Sequence, residues 1–266
     1  MKYMEKLIIA NWKMNPERQS QAIKLARAVA HGVKNLKKTK VVICPPSVFL
    51  EPISKLLAPK SYTLNPVLGA QDCAWEDRGA HTGSISPTML KDLGVRYVIL
   101  GHSERRREFG ETDYMVGAKA AAAIRAGLIP VICVGEWTRR GMTMAKIQSV
   151  IKKQVVAIVK VLGKSLKSKK IVIAYEPVWA ISTVGGGEET PEDAAGMIRF
   201  IRKLLNSKFS ILTSRIIYGG SVNKKNARDF LRYPEIEGAL VGAASLKAPD
   251  FLHIVRDGEN ADSIML

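Results

Sequence analysis

The chain has 266 residues, 47 % of them hydrophobic, enough for a substantial core, and no apolar run approaches the roughly 20 residues needed to span a bilayer, so neither a signal peptide nor a membrane partner is expected. With 41 Lys and Arg against 24 Asp and Glu the formal charge is +17, a balance compatible with nucleic acid, acidic lipid or a solvated surface. The basic clusters at 37–40, 152–153, 164–170 and 224–225 are dispersed and lack interleaved aromatics, so they read as solvated outer faces that attract a small anion rather than as a nucleic-acid groove.

Short apolar runs alternate with longer amphipathic segments from end to end. The expected strands are 6–10, 40–44, 67–71, 97–100, 129–134, 171–175, 215–218 and 238–241; between them lie helical patterns such as 17–36, 48–57, 114–126, 144–162, 191–205 and 223–231. Asn15-Pro16-Glu17 and Thr190-Pro191-Glu192 carry helix-start signals, a capping residue followed by proline in the first turn. The strands are apolar on both faces, as parallel strands covered by helices are. Eight strand-then-helix units without a linker point to an α/β fold, a closed (β/α)8 barrel forming one domain over 1–266; an open doubly wound sheet is second, since no GxGxxG follows the first strand. Cys44, Cys73 and Cys133 are far apart and without metal-ligand spacing, which fits buried thiols in a reducing cytoplasm.

In a barrel the chemistry sits at the C-terminal ends of the strands. The first strand ends in Asn11-Trp12-Lys13, where Lys13 is either a surface lysine or a cation suited to an anionic group. The fourth ends in Gly101-His102-Ser103-Glu104-Arg105-Arg106; His102 stands at a helix start, where backbone N–H groups disfavour an imidazolium, and Glu104 is placed to pair with Lys13 across the barrel mouth. The sixth runs into a lone Glu176 followed by Pro177 and three glycines, 185–187. A carboxylate at the tip of an apolar strand is poorly solvated, which raises its proton affinity toward that of a base working near neutral pH; the alternative is a Glu held by a local ion pair. The seventh and eighth end in Gly219-Gly220-Ser221 and Gly242-Ala243-Ala244-Ser245, small residues that leave backbone N–H groups bare for a phosphate.

With those residues in place, the chain resembles the triosephosphate isomerases from Leu7 to about Val255. The motifs are NWKMN at 11–15, GAQD at 69–72, GHSERR at 101–106, AYEPVWAI at 174–181, YGGSVN at 218–223 and GALVGAASLKAPDF at 238–251. The resemblance implies interconversion of glyceraldehyde 3-phosphate and dihydroxyacetone phosphate in the cytoplasm, with no metal or organic cofactor. It implies Glu176 as the base and a neutral His102 as the group that polarises the carbonyl, a pairing that is the known pattern of that family. Lys13 and Asn11 would stabilise the enediolate, and Ser221, Gly242, Ala243 and a backbone N–H at Ser182 would hold the phosphate. Ile181 and Leu240 would form an apolar clamp over the carboxylate.

The segment 69–86 resembles the family's protruding third loop, in which Thr82 reaches a second subunit, so a homodimer is implied. Ser84 replaces the glutamate that in the family pairs with the neighbour's arginine at the position of Arg105. In the mobile loop Ser182 and Val184 replace glycines and the stretch to Pro191 is about two residues longer, so altered loop closure is expected. Ala243 replaces a glycine and crowds the phosphate slightly. From a different class of function, a weakened barrel homologue binding anions or nucleic acid through its basic surface is the alternative.

Overall fold

A computed structural model describes residues 5–57, 66–163, 171–181, 187–209 and 214–261. Eight strands, β1 (Lys6–Asn11), β2 (Thr39–Cys44), β3 (Val67–Ala70), β4 (Tyr97–Leu100), β5 (Ile129–Val134), β6 (Val172–Tyr175), β7 (Arg215–Tyr218) and β8 (Gly238–Val241), form a closed barrel in sequence order. Every neighbouring pair is parallel, and the seam joins β1 to β8 with Leu7 opposite Gly238. Gly238 is required there, because a Cβ would stand 1.9 Å from the Leu7 carbonyl oxygen and its φ of 155° disfavours L side chains.

Alternation along the strands divides the core in two. Leu7, Ile9, Val42, Ile99, Val131, Val172, Ile217 and Leu240 belong to the set that fills the barrel, whereas Ile8, Val41, Val98, Ile132, Ile173 and Ile216 point out against the helices. At the foot of the barrel the buried Lys6 ammonium donates to the Ile236 carbonyl at 2.7 Å.

The helices are α1 (Gln19–Gly32), α2 (Leu50–Leu57), α3 (Pro87–Asp92), α4 (Ser103–Phe109), α5 (Asp113–Arg125), α6 (Met144–Leu162), α7 (Pro191–Phe209), α8 (Ala227–Leu231) and α9 (Ala248–Glu259). Two helices differ from the sequence expectation. The first helix begins at Gln19 rather than beside Pro16, because Gln21 Oε1 accepts from Arg18 N at 3.2 Å. The expected helix at 223–231 shortens to α8, since Asn223 and Asn226 side chains capture the amides of Lys225 and Asn223 at 2.8 Å each and hold a turn instead. The start at Thr190 stands as read, with Asp193 N donating to the Thr190 hydroxyl at 3.1 Å. None of the helices among the described residues is long and apolar enough to cross a membrane.

Candidate active site

The ends of β1, β4 and β6 converge at the C-terminal mouth. Asn11 closes β1, and its side chain accepts from Lys13 N at 3.1 Å. Lys13 has a φ of 54°, a left-handed conformation that a non-glycine residue holds only when its surroundings enforce it. The enforcement comes from two sides. Gln71, just past β3, donates to the Lys13 carbonyl at 2.8 Å and to the Cys44 carbonyl at 3.0 Å. The Lys13 ammonium meets Glu104 Oε1 at 2.6 Å, the expected pair across the mouth.

His102 is the N-cap of α4. Its Nδ1 accepts from Glu104 N at 3.2 Å, so Nδ1 carries the lone pair and the neutral ring keeps its proton on Nε2. Nε2 lies 3.2 Å from Glu176 Oε1. That oxygen has no hydrogen-bond partner among the described residues, so the contact is close but not aligned as a hydrogen bond. The other carboxylate oxygen accepts from Ser103 N at 3.1 Å. Glu176 is only 2 % exposed.

The backbone around the base is crowded. Glu176 N donates to the Val134 carbonyl at 2.8 Å, and a Cβ at Gly135 would stand 1.6 Å from the Glu176 carbonyl oxygen, so only glycine fits. Arg106 ties β4 to β5, donating to the Gly101 carbonyl at 2.7 Å and the Cys133 carbonyl at 3.2 Å while pairing with Asp113. Burial first, and then the Glu176 charge, pushes the Cys133 thiol well up, so it stays protonated beside the base.

The other expected residues are placed around this centre. Gly242 follows β8, and a Cβ there would approach Lys13 Cε at 3.5 Å, so the eighth-strand turn lies against the cation. Ala243 begins a 3₁₀ turn through Leu246, held by Ser245 N and Oγ donating to the Gly242 carbonyl at 2.8 and 2.6 Å. The Ser221 carbonyl accepts from Asn226 at 3.0 Å. Ile181 is buried after the turn that follows Glu176, and Leu240 is buried in the barrel. Ser182 and Val184 lie outside the described residues. Thr82 is exposed on the segment between β3 and α3.

Arg105 is engaged within its own chain, meeting Asp72 Oδ2 and Glu111 Oε1 at 2.9 Å each. The residues that sequence reasoning left without a role are Gln71, Arg106 and Gly135, while Gly219, read only as a small turn residue, also spaces the base, since a Cβ there would stand 2.8 Å from Glu176 Cγ. Gln71 was within reach as a lone polar residue directly after a buried strand; the others act through contacts that no local pattern carries. Among the described residues no group of three or more His, Cys, Asp or Glu is arranged to hold a metal ion.

A closed parallel barrel whose mouth sets a buried carboxylate against an imidazole, beside a paired ammonium, defines the class as a barrel protein with acid–base groups gathered at the C-terminal ends of its strands. Comparison with known proteins specifies it further. The family model for triosephosphate isomerase matches residues 6–258. The triosephosphate isomerase of Dictyoglomus thermophilum is 45 % identical over 255 residues, covering 94 % of this chain and 98 % of that protein. That of Coxiella burnetii is 41 % identical, covering 93 % and 95 %. The crystal structure of the Bartonella henselae triosephosphate isomerase superposes with a TM-score of 0.80 at 38 % identity, covering 95 % of this chain and 98 % of that one. The chain belongs to the triosephosphate isomerase family.

Proposed function

We propose that this protein interconverts D-glyceraldehyde 3-phosphate and dihydroxyacetone phosphate through an enediolate. Glu176 removes the carbon-bound proton and returns it to the neighbouring carbon. The carboxylate reaches the substrate by turning away from Ser103 N. His102 Nε2–H polarises the carbonyl and passes protons between the two oxygens. Lys13, oriented by Glu104, and Asn11 stabilise the developing negative charge. The reading rests above all on the hydrogen bond from Glu104 N to His102 Nδ1, which leaves the Nε2 proton aimed at the space beside Glu176.

The backbone amides around Ser221, Gly242 and Ala243 bind the phosphate, in the loops where barrels commonly do so. Ile181 and Leu240 supply apolar cover near the base. No observation favours the weakened anion- or nucleic-acid-binding alternative. Replacing Glu176 with Gln tests the assignment: a coupled assay in either direction should show a loss of about 10²- to 10⁴-fold, the usual worth of a positioned general base. A Gln variant with full activity would sink it.

The working form is a homodimer in the cytoplasm. Met14, Val48 and Phe109 are 92 %, 73 % and 62 % exposed. All three line a groove of about 1360 Å³ that also reaches Lys13 and His102. Such apolar exposure calls for cover, and the projecting turn with Thr82 on a second copy is the occupant that fits.

A further inference from the structure

Several buried titratable groups are left unused by this mechanism, and Glu189 is one of them. Glu189, just ahead of α7, is 7 % exposed. Its Oε1 accepts from Arg139 Nη2 at 2.8 Å. Its Oε2 is buried with no hydrogen-bond partner among the described residues. The Arg139 guanidinium also reaches the residues around the base: it donates to the Tyr175 hydroxyl at 2.9 Å and to Glu136 Oε1 at 2.9 Å, and lies 5.0 Å from the Trp179 ring centroid. Glu136 in turn accepts from Trp179 Nε1 at 3.0 Å and from the Tyr175 hydroxyl at 3.1 Å, while its carbonyl accepts from Val178 N at 2.9 Å.

One cation therefore joins the residues on both sides of Glu176, namely Tyr175 before it and Val178 and Trp179 after it, to a carboxylate thirteen positions further on. The two stretches also touch directly. Gly187 N donates to the Trp179 carbonyl at 3.3 Å, and a Cβ at 187 would stand 2.6 Å from the Trp179 ring.

From this geometry we infer that Glu189 is a proton-sensitive positioning residue for Glu176. Ionised, it holds Arg139, and through Arg139 the Glu136–Tyr175–Trp179 cluster that fixes the backbone on either side of the base. Protonated, it surrenders the charge-assisted bond and loosens that cluster. The inference rests on the proposed role of Glu176. The charged and titratable groups facing Glu189 are Arg139 and Glu136 from the β5–α6 loop, Tyr175 from β6, Tyr218 from β7 and Asp193 from α7. Burial raises the Glu189 carboxyl most, Arg139 opposes it and Glu136 adds to it, bringing it to about 7. Proton exchange at this clamp thus falls within the range where cells operate.

Two measurements on the full chain and its Glu189→Gln variant test this. The first follows the Trp179 indole N–H by ¹⁵N NMR from pH 6 to 9, the resonance being the one lost in Trp179→Phe. The wild-type signal should titrate with a midpoint near 7, and the Gln variant's should stay still. A wild-type signal that does not move, or a variant signal that moves equally, overturns the inference.

The second is kcat for glyceraldehyde 3-phosphate against pH. Wild type should show a rising step near 7. The Gln variant should lack that step and run severalfold lower at pH 8, with KM little changed. An active wild type whose profile the variant reproduces overturns the inference alone. A wild type inactive at every pH refutes the proposed reaction, and the positioning role with it.

Discussion

A constraint on the side chain of the base comes from a residue with no chemistry of its own, and Gly219→Ala measures it. Gly219 follows β7, and its N–H donates to the Tyr175 carbonyl at 2.7 Å, drawing the two strand ends together. A Cβ at 219 would stand 2.8 Å from Glu176 Cγ and 3.3 Å from the Tyr175 carbonyl oxygen. Restoring Cγ to an ordinary contact of 3.4 Å requires a shift of about 0.6 Å. The Glu176 backbone has nowhere to retreat, being bonded to Val134 and pressed against Gly135, so the side chain moves, and its carboxylate end moves further than Cγ. A misplacement of about 1 Å costs on the order of 10²-fold in rate, so we expect kcat to fall about 10- to 100-fold, together with about 1–3 kcal/mol of stability from overpacking. Coupled assays in both directions, paired with urea unfolding, separate the two effects. A folded Ala variant with kcat within about twofold of wild type would refute the steric account, because 1 Å of displacement is worth far more than that.

Glu189 also makes a prediction about stability. Its carboxyl rises from 4.5 to about 7 on folding, so between those values the folded chain holds a proton that the unfolded chain has released. The contribution is greatest below 4.5 and fades as pH climbs through 7, worth about 3 kcal/mol over the 2.5-unit gap. Urea-derived stability of Glu189→Gln should therefore change less between pH 5 and 8 than that of wild type, and equal slopes would contradict the burial argument. For the dimer, Phe109→Asp should weaken association about 10- to 100-fold in sedimentation, the worth of one buried aromatic side chain. A wild type that remains monomeric at micromolar concentration would remove the homodimer.

All eight strands were legible because parallel strands buried on both faces read as uninterrupted apolar runs, and the punctuation after them carries the polar groups of the mouth. The residues read at the mouth, Asn11, Lys13, His102, Glu176, Ser221 and Gly242, stand one to three positions past the ends of the expected runs. Short helices were harder. The expectation for 17–36 overshot α1 at both ends, and α3, with six residues, is too short to show a 3.6-residue period. Helix α9 passed unread although Pro249 marks its first turn. What sequence reasoning lacked throughout was lateral information. Gln71 bracing Lys13, Arg106 stapling β4 to β5, and Arg139 meeting Glu189 fifty residues away are contacts between loops that only barrel closure brings together. The glycines at 135, 219 and 238 look in the sequence like ordinary turn residues. Their necessity appears only when the neighbouring atom is known.

The seam between β1 and β8 has a consequence for how the chain is made. β1 is the first strand to leave the ribosome, yet one of its two partners, opposite Leu7, begins at Gly238. Until that late segment emerges, the nascent sheet carries two unpaired edges, on β1 and on the most recently formed strand, each a template for pairing with another chain. Premature termination anywhere before residue 238 would thus yield a sticky, open sheet rather than a smaller barrel. Pairing of β8 with β1 decides whether those two edges stay open.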